Sequence, residues 1–597
     1  MLGPIFLREL VTTPRRPRHF VTRGLVLGAL WVLLLTVWQT TIGWERTPTF
    51  GDQARFGLLA FQIVVYLQLS LLLFFAGLSA AAAIAQEKDR RTFLLLLMTD
   101  LRNPEIVLGK SLGSLLPIAA VLISTLPPLM LLMLLGGIAP FQVGEAFLVL
   151  TTATIAAASL GGLVALWREK TFQALALTVL LLVFYLACVR GMGFLPSVVD
   201  VDPARVAYEQ SLLDPFAALA VIVDPPALSA SPLDNPAYGF AAVMLGIAIA
   251  LNGIGVARLR VWNPSGEPIM LRDAADSSSD AMDPEARARA HAAPGKIRQV
   301  WDNPILWREI ATRAYGRRPL LIKLAYGVVI GMILYAVLEP AQQQSWAAAR
   351  GLVPITVLSL LLVSAQAVTA VTSERDLGSF DLLMVTDLSP KEFIFGKIGG
   401  ILYNTKEYLL PPLALIAVYA ARGQLSTPAT VDRSVLPGIL TFLGCGVLMA
   451  FTITLGIHVA LRAETSRLAV SHSLGTVFFL SVGTLLCIYL ILVNGQFEYQ
   501  WLSFSAFIVL GVGGLWFVLC GERPSAALTL ASWLCPFAVF YTVTNILIGK
   551  PGGVESTDPW LPFLTTASAF AFATAAMLVP LLSEFDVAIG RTSTGGD

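Results

Sequence analysis

Gly109-Lys110-Ser111 carries the residue types that close a phosphate-binding loop, in which backbone N–H groups ring a phosphate and the lysine reaches it. That loop needs a glycine five residues ahead of the second glycine. Position 104 is Pro104, which has no N–H, and no G-x-x-x-x-G-K-[ST] occurs elsewhere in the chain. His458 and His472 fall in neighbouring apolar runs, where metal or proton chemistry would need a partner; no carboxylate stands at ligand spacing. No G-x-S-x-G nucleophile motif is present. Cys188, Cys445, Cys487, Cys520 and Cys535 lie in or beside apolar runs without a C-x-x-C pair, and read as free thiols packed like small hydrophobes. We expect no catalytic residue, no metal ligand and no cofactor in this chain.

What stands out instead is a charged phrase that occurs twice. "TFLLLLMTDLRNPEIVLGKS" begins at Thr92, and "SFDLLMVTDLSPKEFIFGKI" begins at Ser379. Phe93 maps on Phe380, Thr99-Asp100-Leu101 on Thr386-Asp387-Leu388, and Gly109-Lys110 on Gly396-Lys397, each pair 287 residues apart. The apolar piece Phe93–Met98 is too short to cross a bilayer, which takes about 20 residues. It fits a short helix in the membrane interface. Asn103-Pro104 reads as an N-cap with proline at N1, and Ser389-Pro390-Lys391-Glu392 as a capping box. Each phrase is then a short helix, a turn and the start of a long helix, with Glu105 and Glu392 in its first turn.

The surrounding chain must supply a membrane for this phrase to border. Of the 597 residues, 56% are hydrophobic and 13% charged, and the mean hydropathy is +0.74. A soluble globular chain carries about 25% charged residues, so lipid is the solvent here. Lys and Arg number 40 against 39 Asp and Glu, a balance that gives no field for nucleic acid. Spans are expected near 21–42, 56–85, 106–136, 143–166, 171–190 and 237–258, then near 319–338, 347–371, 394–420, 433–461, 467–493, 500–520, 526–549 and 560–582. Pro117, Pro127 and Pro128 should kink the third. The first run, Val21 to Thr41, is too long for a signal-peptide core and reads as a spanning helix.

Orientation follows from the basic residues. Arg8, Arg15, Arg16, Arg18 and Arg23 hold the N-terminus in the cytoplasm. Six spans return the chain there before a run of Arg and Lys between 258 and 323, whereas the acidic loop 191–236 suits the outside. Both repeated phrases then face the cytoplasm, between the second and third spans of their halves. Residues 263–300 read as a solvated linker between a first unit, 1–262, and a second, 301–597.

More of the sequence repeats. "GPIFLRELVTT" at Gly3 recurs as "NPILWREIATR" at Asn303, so that Arg8-Glu9 matches Arg308-Glu309 ahead of each half's first span. "DPFAAL" at Asp214 echoes "CPFAVF" at Cys535. The chain reads as two copies of one membrane unit in parallel orientation. The second carries about two extra spans, or else a re-entrant hairpin at 526–549. Glu87 and Glu374 fall at the cytoplasmic end of the second span of each copy, as loop bases or plain helix ends. The small-residue stretches at Gly77 and Ser364 lie on those same spans and are expected to pack the two halves together. Gln62, Gln68, Gln366 and Asn404 lie at or near membrane depth, where they line a path or bond across helices. The spans hold almost no carboxylates, which argues against ion-driven transport.

The phrases resemble the first cytoplasmic loop of ABC-2-type permeases, the membrane subunits of ATP-binding cassette exporters. The second copy carries the pattern in Glu374, Arg375, Asp376, Gly378, Ser379, Phe380, Asp381, Leu382, Leu383, Thr386, Gly396 and Lys397. The first keeps Glu87, Lys88, Asp89, Phe93, Thr99, Gly109 and Lys110, but has Arg91 where the family has Gly and Leu94 where it has an acid. Asp100 and Asp387 stand where the family often has Pro. The resemblance implies an all-α polytopic membrane protein, a tandem parallel repeat of a six-helix exporter domain with about 12–14 membrane helices. Each half would begin with an interfacial helix, near 3–13 and 303–313. The loops 92–105 and 379–392 would dock on a separate ABC ATPase subunit through Thr99, Asp100, Leu101, Glu105, Thr386, Asp387, Leu388 and Glu392. ATP used there would rock the halves to export a substrate across a bacterial inner membrane, with both termini cytoplasmic. Accessory membrane or periplasmic proteins are further partners of such machines. The alternative is a non-transporting anchor or scaffold for a surface-assembly or gliding-type machine. A membrane enzyme acting on lipid-linked substrates ranks last, because the outer loop shows no acid–base pair.

Overall fold

The computed structural model describes residues 3–13, 15, 17–43, 47–89, 92–168, 171–194, 196, 202–224, 235–263, 300–311, 323–324, 326–331, 334, 345–376, 380, 383, 388–422, 436–463, 465–494, 501–520, 525–548 and 560–583. Residues 264–299 of the linker and most of the expected span 319–338 lie outside them, as do Thr386 and Asp387. The described residues form helices and turns, with no strand. In chain order the first half has α1 (Gly3–Thr12), α2 (Pro17–Thr41), α3 (Phe50–Asp89), α4 (Thr92–Leu97), α5 (Asn103–Ser124), α6 (Leu126–Leu134), α7 (Pro140–Trp167), α8 (Thr171–Gly191), α9 (Pro203–Leu213), α10 (Pro215–Val223) and α11 (Pro236–Trp262). The second has α12 (Pro304–Ala311), α13 (Ser345–Asp376), α14 (Pro390–Ala421), α15 (Leu436–Arg462), α16 (Ser466–Asn494), α17 (Trp501–Cys520), α18 (Ala526–Ile548) and α19 (Trp560–Ser583).

Among the described residues, 10 helices are long and apolar enough to cross a membrane. This is a multi-pass membrane protein. Three helices expected to span, α2, α14 and α17, are not among these ten. The described apolar core of α2 is the shorter stretch Arg23–Gln39. Helix α14 has 32 residues but carries Lys397, Lys406 and Glu407 along its length. Residues 526–549, expected as a span or else a re-entrant hairpin, hold one continuous helix, α18, with Pro536 inside it, and it is long and apolar enough to cross. Its sequence echo behaves differently: at Asp214-Pro215 the chain bends by 106° between α9 and α10. Asp214 caps α10 by accepting from the Phe216 N–H at 2.9 Å. It also pairs with Arg190 at the end of α8, which fixes the bend to the spanning bundle. In the third span the break falls at Thr125, just ahead of Pro127 and Pro128, because proline crowds the residues before it. Gln68 donates to Thr125 Oγ1 at 2.7 Å, so this membrane-depth glutamine bonds across helices at the break.

Lipid is as apolar as leucine, so close packing and interhelical hydrogen bonds must hold these helices together. The small-residue stretches supply close packing inside each half. A Cβ on Gly161 of α7 would stand 2.1 Å from the Gly77 carbonyl oxygen of α3. In the second half a Cβ on Gly456 of α15 would stand 2.5 Å from Ala367 Cβ of α13. The halves meet where α3 touches α16, α8 touches α13, and α2 touches α16 and α17. Phe74 of α3 stacks on Phe478 of α16 with centroids 3.9 Å apart and planes 7° from parallel, and Phe75 meets the same ring edge-on at 6.0 Å.

We predict that Gly161→Ala lowers stability by about 1–3 kcal/mol through overpacking. Gly144→Ala on the same helix, where a Cβ meets nothing within 4 Å, should change it by no more than about 0.5 kcal/mol. Thermal unfolding of the detergent-solubilised variants compares the two.

Candidate functional site

The first repeated phrase folds as a short helix, a turn and a helix start. Helix α4 has six residues. Phe93 and Leu97 point inward and are buried, while Leu95 and Met98 are 64% and 63% exposed. This is the two-faced pattern of an interfacial or docking helix. Thr99 ends it by donating its hydroxyl to the Leu96 carbonyl at 2.6 Å. Thr99, Asp100 and Arg102 are exposed at the tip, and Leu101 is half-buried. Glu105 accepts from the Arg102 N–H at 3.0 Å. The N-cap is therefore Arg102, not the expected Asn103. Asn103 is used elsewhere: it donates to the Val256 carbonyl at 3.2 Å and accepts from Arg260 Nε at 3.0 Å, tying the turn to α11.

In the second phrase the capping box forms as expected. Glu392 N–H donates to Ser389 Oγ at 3.2 Å, and Glu392 accepts from the Ser389 N–H at 2.9 Å. The Ser389 backbone N–H, then its hydroxyl, hold the Glu392 carboxyl below the usual carboxylate range at this helix tip. Phe380 packs edge-on against Phe393 with centroids 5.8 Å apart. Leu388 is half-buried.

Behind both phrases lies a charged base that the sequence analysis only half located. Lys110 donates to Glu87. At the matching positions Lys397, 1% exposed, donates to Glu374 at 2.8 Å, to Glu309 at 2.7 Å, and to the Ala370 carbonyl at 2.9 Å. Arg308 also pairs with Glu374. The lysine of the misleading Gly-Lys pair is thus an internal tie. It joins the base of α13, the interfacial helix α12 and the start of α14. In the first half the interfacial pair closes on itself instead, with Arg8 Nη2 2.9 Å from Glu9 Oε1.

The neighbouring cation does a second job. Lys88 donates to the carbonyls of Leu166 and Arg168 at the end of α7. Arg375 donates to those of Ala460 at 3.1 Å and Ala463 at 2.6 Å at the end of α15. The last carbonyls of a helix lack intrahelical partners and carry its negative dipole end, so a cation is favoured there. The signal was in the sequence: Val164-Ala165-Leu166 recurs as Val459-Ala460-Leu461. So was a second one. Gly109 and Gly113, like Gly396 and Gly400, stand four apart. A Cβ on Gly109 would meet Ile5 at 3.2 Å, and one on Gly113 would meet Glu9 at 3.3 Å. A Cβ on Gly396 would meet Ile305 at 2.8 Å, and one on Gly400 would meet Glu309 at 2.6 Å. The glycines let the interfacial helices lie down on α5 and α14.

His458 is occupied. Its Nδ1 faces the Met577 carbonyl at 3.2 Å, which can only accept, so the proton sits there and the Ser525 hydroxyl donates to Nε2 at 3.1 Å. Among the described residues no group of three His, Cys, Asp or Glu could hold a metal. What this arrangement offers is mechanical. In the first half an exposed tip is joined through half-buried charges to the bases of α3, α5 and α7, and in the second the matching charges join the bases of α13, α14 and α15. No protein-family model, no curated protein and no solved structure matches the chain.

Removing Lys397 takes a buried cation from Glu309 and Glu374 and leaves Arg308, itself 33% exposed, to pair with both. Lys397→Met should therefore cost about 3–5 kcal/mol. Lys110→Met should cost less, since Glu87 keeps 24% exposure and can be hydrated. Adding Glu309→Gln and Glu374→Gln to Lys397→Met should restore part of the loss. Thermal melts of the purified variants rank all three.

Proposed function

We propose that the chain is the membrane-spanning permease of an ATP-driven exporter, two permease units fused in tandem, working with a separate ABC ATPase subunit. The ATPase docks on the two loops around Thr99-Asp100-Leu101 and Thr386-Asp387-Leu388. The observation that carries this reading is the repeated base. In both halves a glutamate–lysine pair fastens the loop's helix to the preceding span, and the next cation closes the end of α7 or α15. A plain solvated loop has no use for such a base, whereas a lever must be stiff where it enters the membrane. The exposed Leu95 and Met98 beside Asp100 give the first lever an apolar face for a partner.

The helices at the seam fit the same reading. Each half contributes the span that carries its lever, α3 or α13, and the seam pairs it with α16 or α8 of the other half. Movement of a lever thus acts directly on the boundary between halves. The Phe74–Phe478 stack lies on that boundary and serves as its closed gate. In this reading the levers and both termini face the cytoplasm of a bacterial cell and the protein sits in its inner membrane. The chain itself hydrolyses nothing.

The test is charge reversal of both tips. Asp100→Lys with Asp387→Lys should abolish ATP-dependent transport, and ATPase co-purification should drop by at least tenfold, while the protein stays monodisperse. Transport at the wild-type rate would sink the lever mechanism. Purification from the native membrane with no P-loop ATPase attached would favour the scaffold instead.

A further inference from the structure

Helix α14 carries adjacent charges, Lys406 and Glu407, deep in its length. Glu407 is half-buried. Its Oε1 pairs with Lys323 at 2.7 Å, beside a polar cluster in which the Tyr326 hydroxyl bonds Ser359 at 2.6 Å and meets the Tyr408 carbonyl at 3.2 Å. Lys406 turns outward. It is exposed, and among the described residues no carboxylate pairs with it. Its face of the helix also holds Leu402, Tyr403 and Leu410, which are 44%, 45% and 61% exposed. These positions share one side of an α-helix, and a stripe of exposed large apolar residues on a membrane protein is a lipid-facing stripe.

Depth decides what a cation there can meet. Helix α14 is not among the ten helices apolar enough to cross on composition alone; taken as the span its sequence predicts, with Ala421 at one boundary, its roughly 20 core residues end near Leu402. Lys406 is therefore about one turn inside the boundary. Its side chain leans toward the helix N-terminus, as helical side chains do, and can snorkel that distance. Lys406 Nζ lies 4.1 Å from the centroid of the Tyr403 ring, and tyrosine is a residue of the membrane interface. The ammonium thus reaches the level of lipid phosphates with no carboxylate among the described residues paired to it. At the matching place in the first half, 287 residues earlier, stand Ala119 and Ala120.

We propose that Lys406, with Tyr403 beside it, holds the phosphate of an anionic phospholipid in the leaflet nearer the start of α14, one lipid per chain. A zwitterionic lipid carries its own ammonium, which competes with Lys406 for the phosphate, so the uncompensated lysine favours a lipid with net negative charge. The site rests on the protein's membrane character and not on its transport activity, so its failure leaves the exporter reading standing.

The experiment is native mass spectrometry of the full chain, delipidated in mild detergent and titrated with phosphatidylglycerol, with phosphatidylcholine or with inorganic phosphate. The expected result is a single retained phosphatidylglycerol, preferred over phosphatidylcholine by about fivefold, the weight of one lysine at an anionic surface. Lys406→Gln should remove the preference and Lys406→Arg should keep it. Equal retention of the two lipids by the wild type overturns the proposal without any variant being needed. So does an unchanged preference in Lys406→Gln. Displacement of phosphatidylglycerol by millimolar phosphate also overturns it, since the occupant would then be the free ion.

Discussion

The structure depends on how charge is held at the edge of a membrane. Lys397 is 1% exposed, and a cation cannot stay in such a place unless partners surround it. Glu374 and Glu309 do so, with Arg308 balancing the second carboxylate. To bring Glu309 within reach, the interfacial helix α12 must lie directly on α14, and Gly396 and Gly400 remove the side chains that would hold it off. Helix packing, charge pairing and the position of the repeated phrase are therefore one arrangement. The glycines have no purpose without the lysine's partner, and the lysine could not be buried without the glycines.

The two halves use this arrangement unequally. Lys110 has Glu87 alone, with Glu9 engaged by Arg8 at the surface. The second half adds the interfacial helix to the tie and places further charges, Lys323 and Glu407, deeper along α14. Two identical subunits meeting as a dimer could not differ in this way, because every substitution would appear on both sides. A single chain removes that constraint.

Much of this was legible. For the ten helices long and apolar enough to cross, the boundaries followed from hydropathy to within a few residues, since a bilayer sets a minimum length that few other structures share. The capping box at Ser389 and Glu392 was readable because it is wholly local. What was missed needed a neighbour's position. The roles of Lys88 and Arg375 depend on where α7 and α15 end, and the use of Gly109 depends on Ile5 lying across it, which nothing local shows. The small residues at Gly77 and Ser364 correctly signalled close packing but could not name the partner. Asn103 followed by Pro104 has the pattern of a cap, yet the side chain found a better use against α11. The carboxylate Glu407 was passed over among apolar residues because its partner, Lys323, is 84 positions away.

Helix α17 has a consequence for how the protein is made. Leu25 near the start of α2 packs on Gly514 of α17, where a Cβ would stand 3.0 Å from Leu25 Cδ2. The first spanning helix therefore completes its contacts with one of the last to leave the ribosome. At 5–20 residues per second the wait is roughly 25–100 s. Throughout that interval one side of α2 is covered by lipid or by the insertion machinery, and late arrival of α17 closes the bundle.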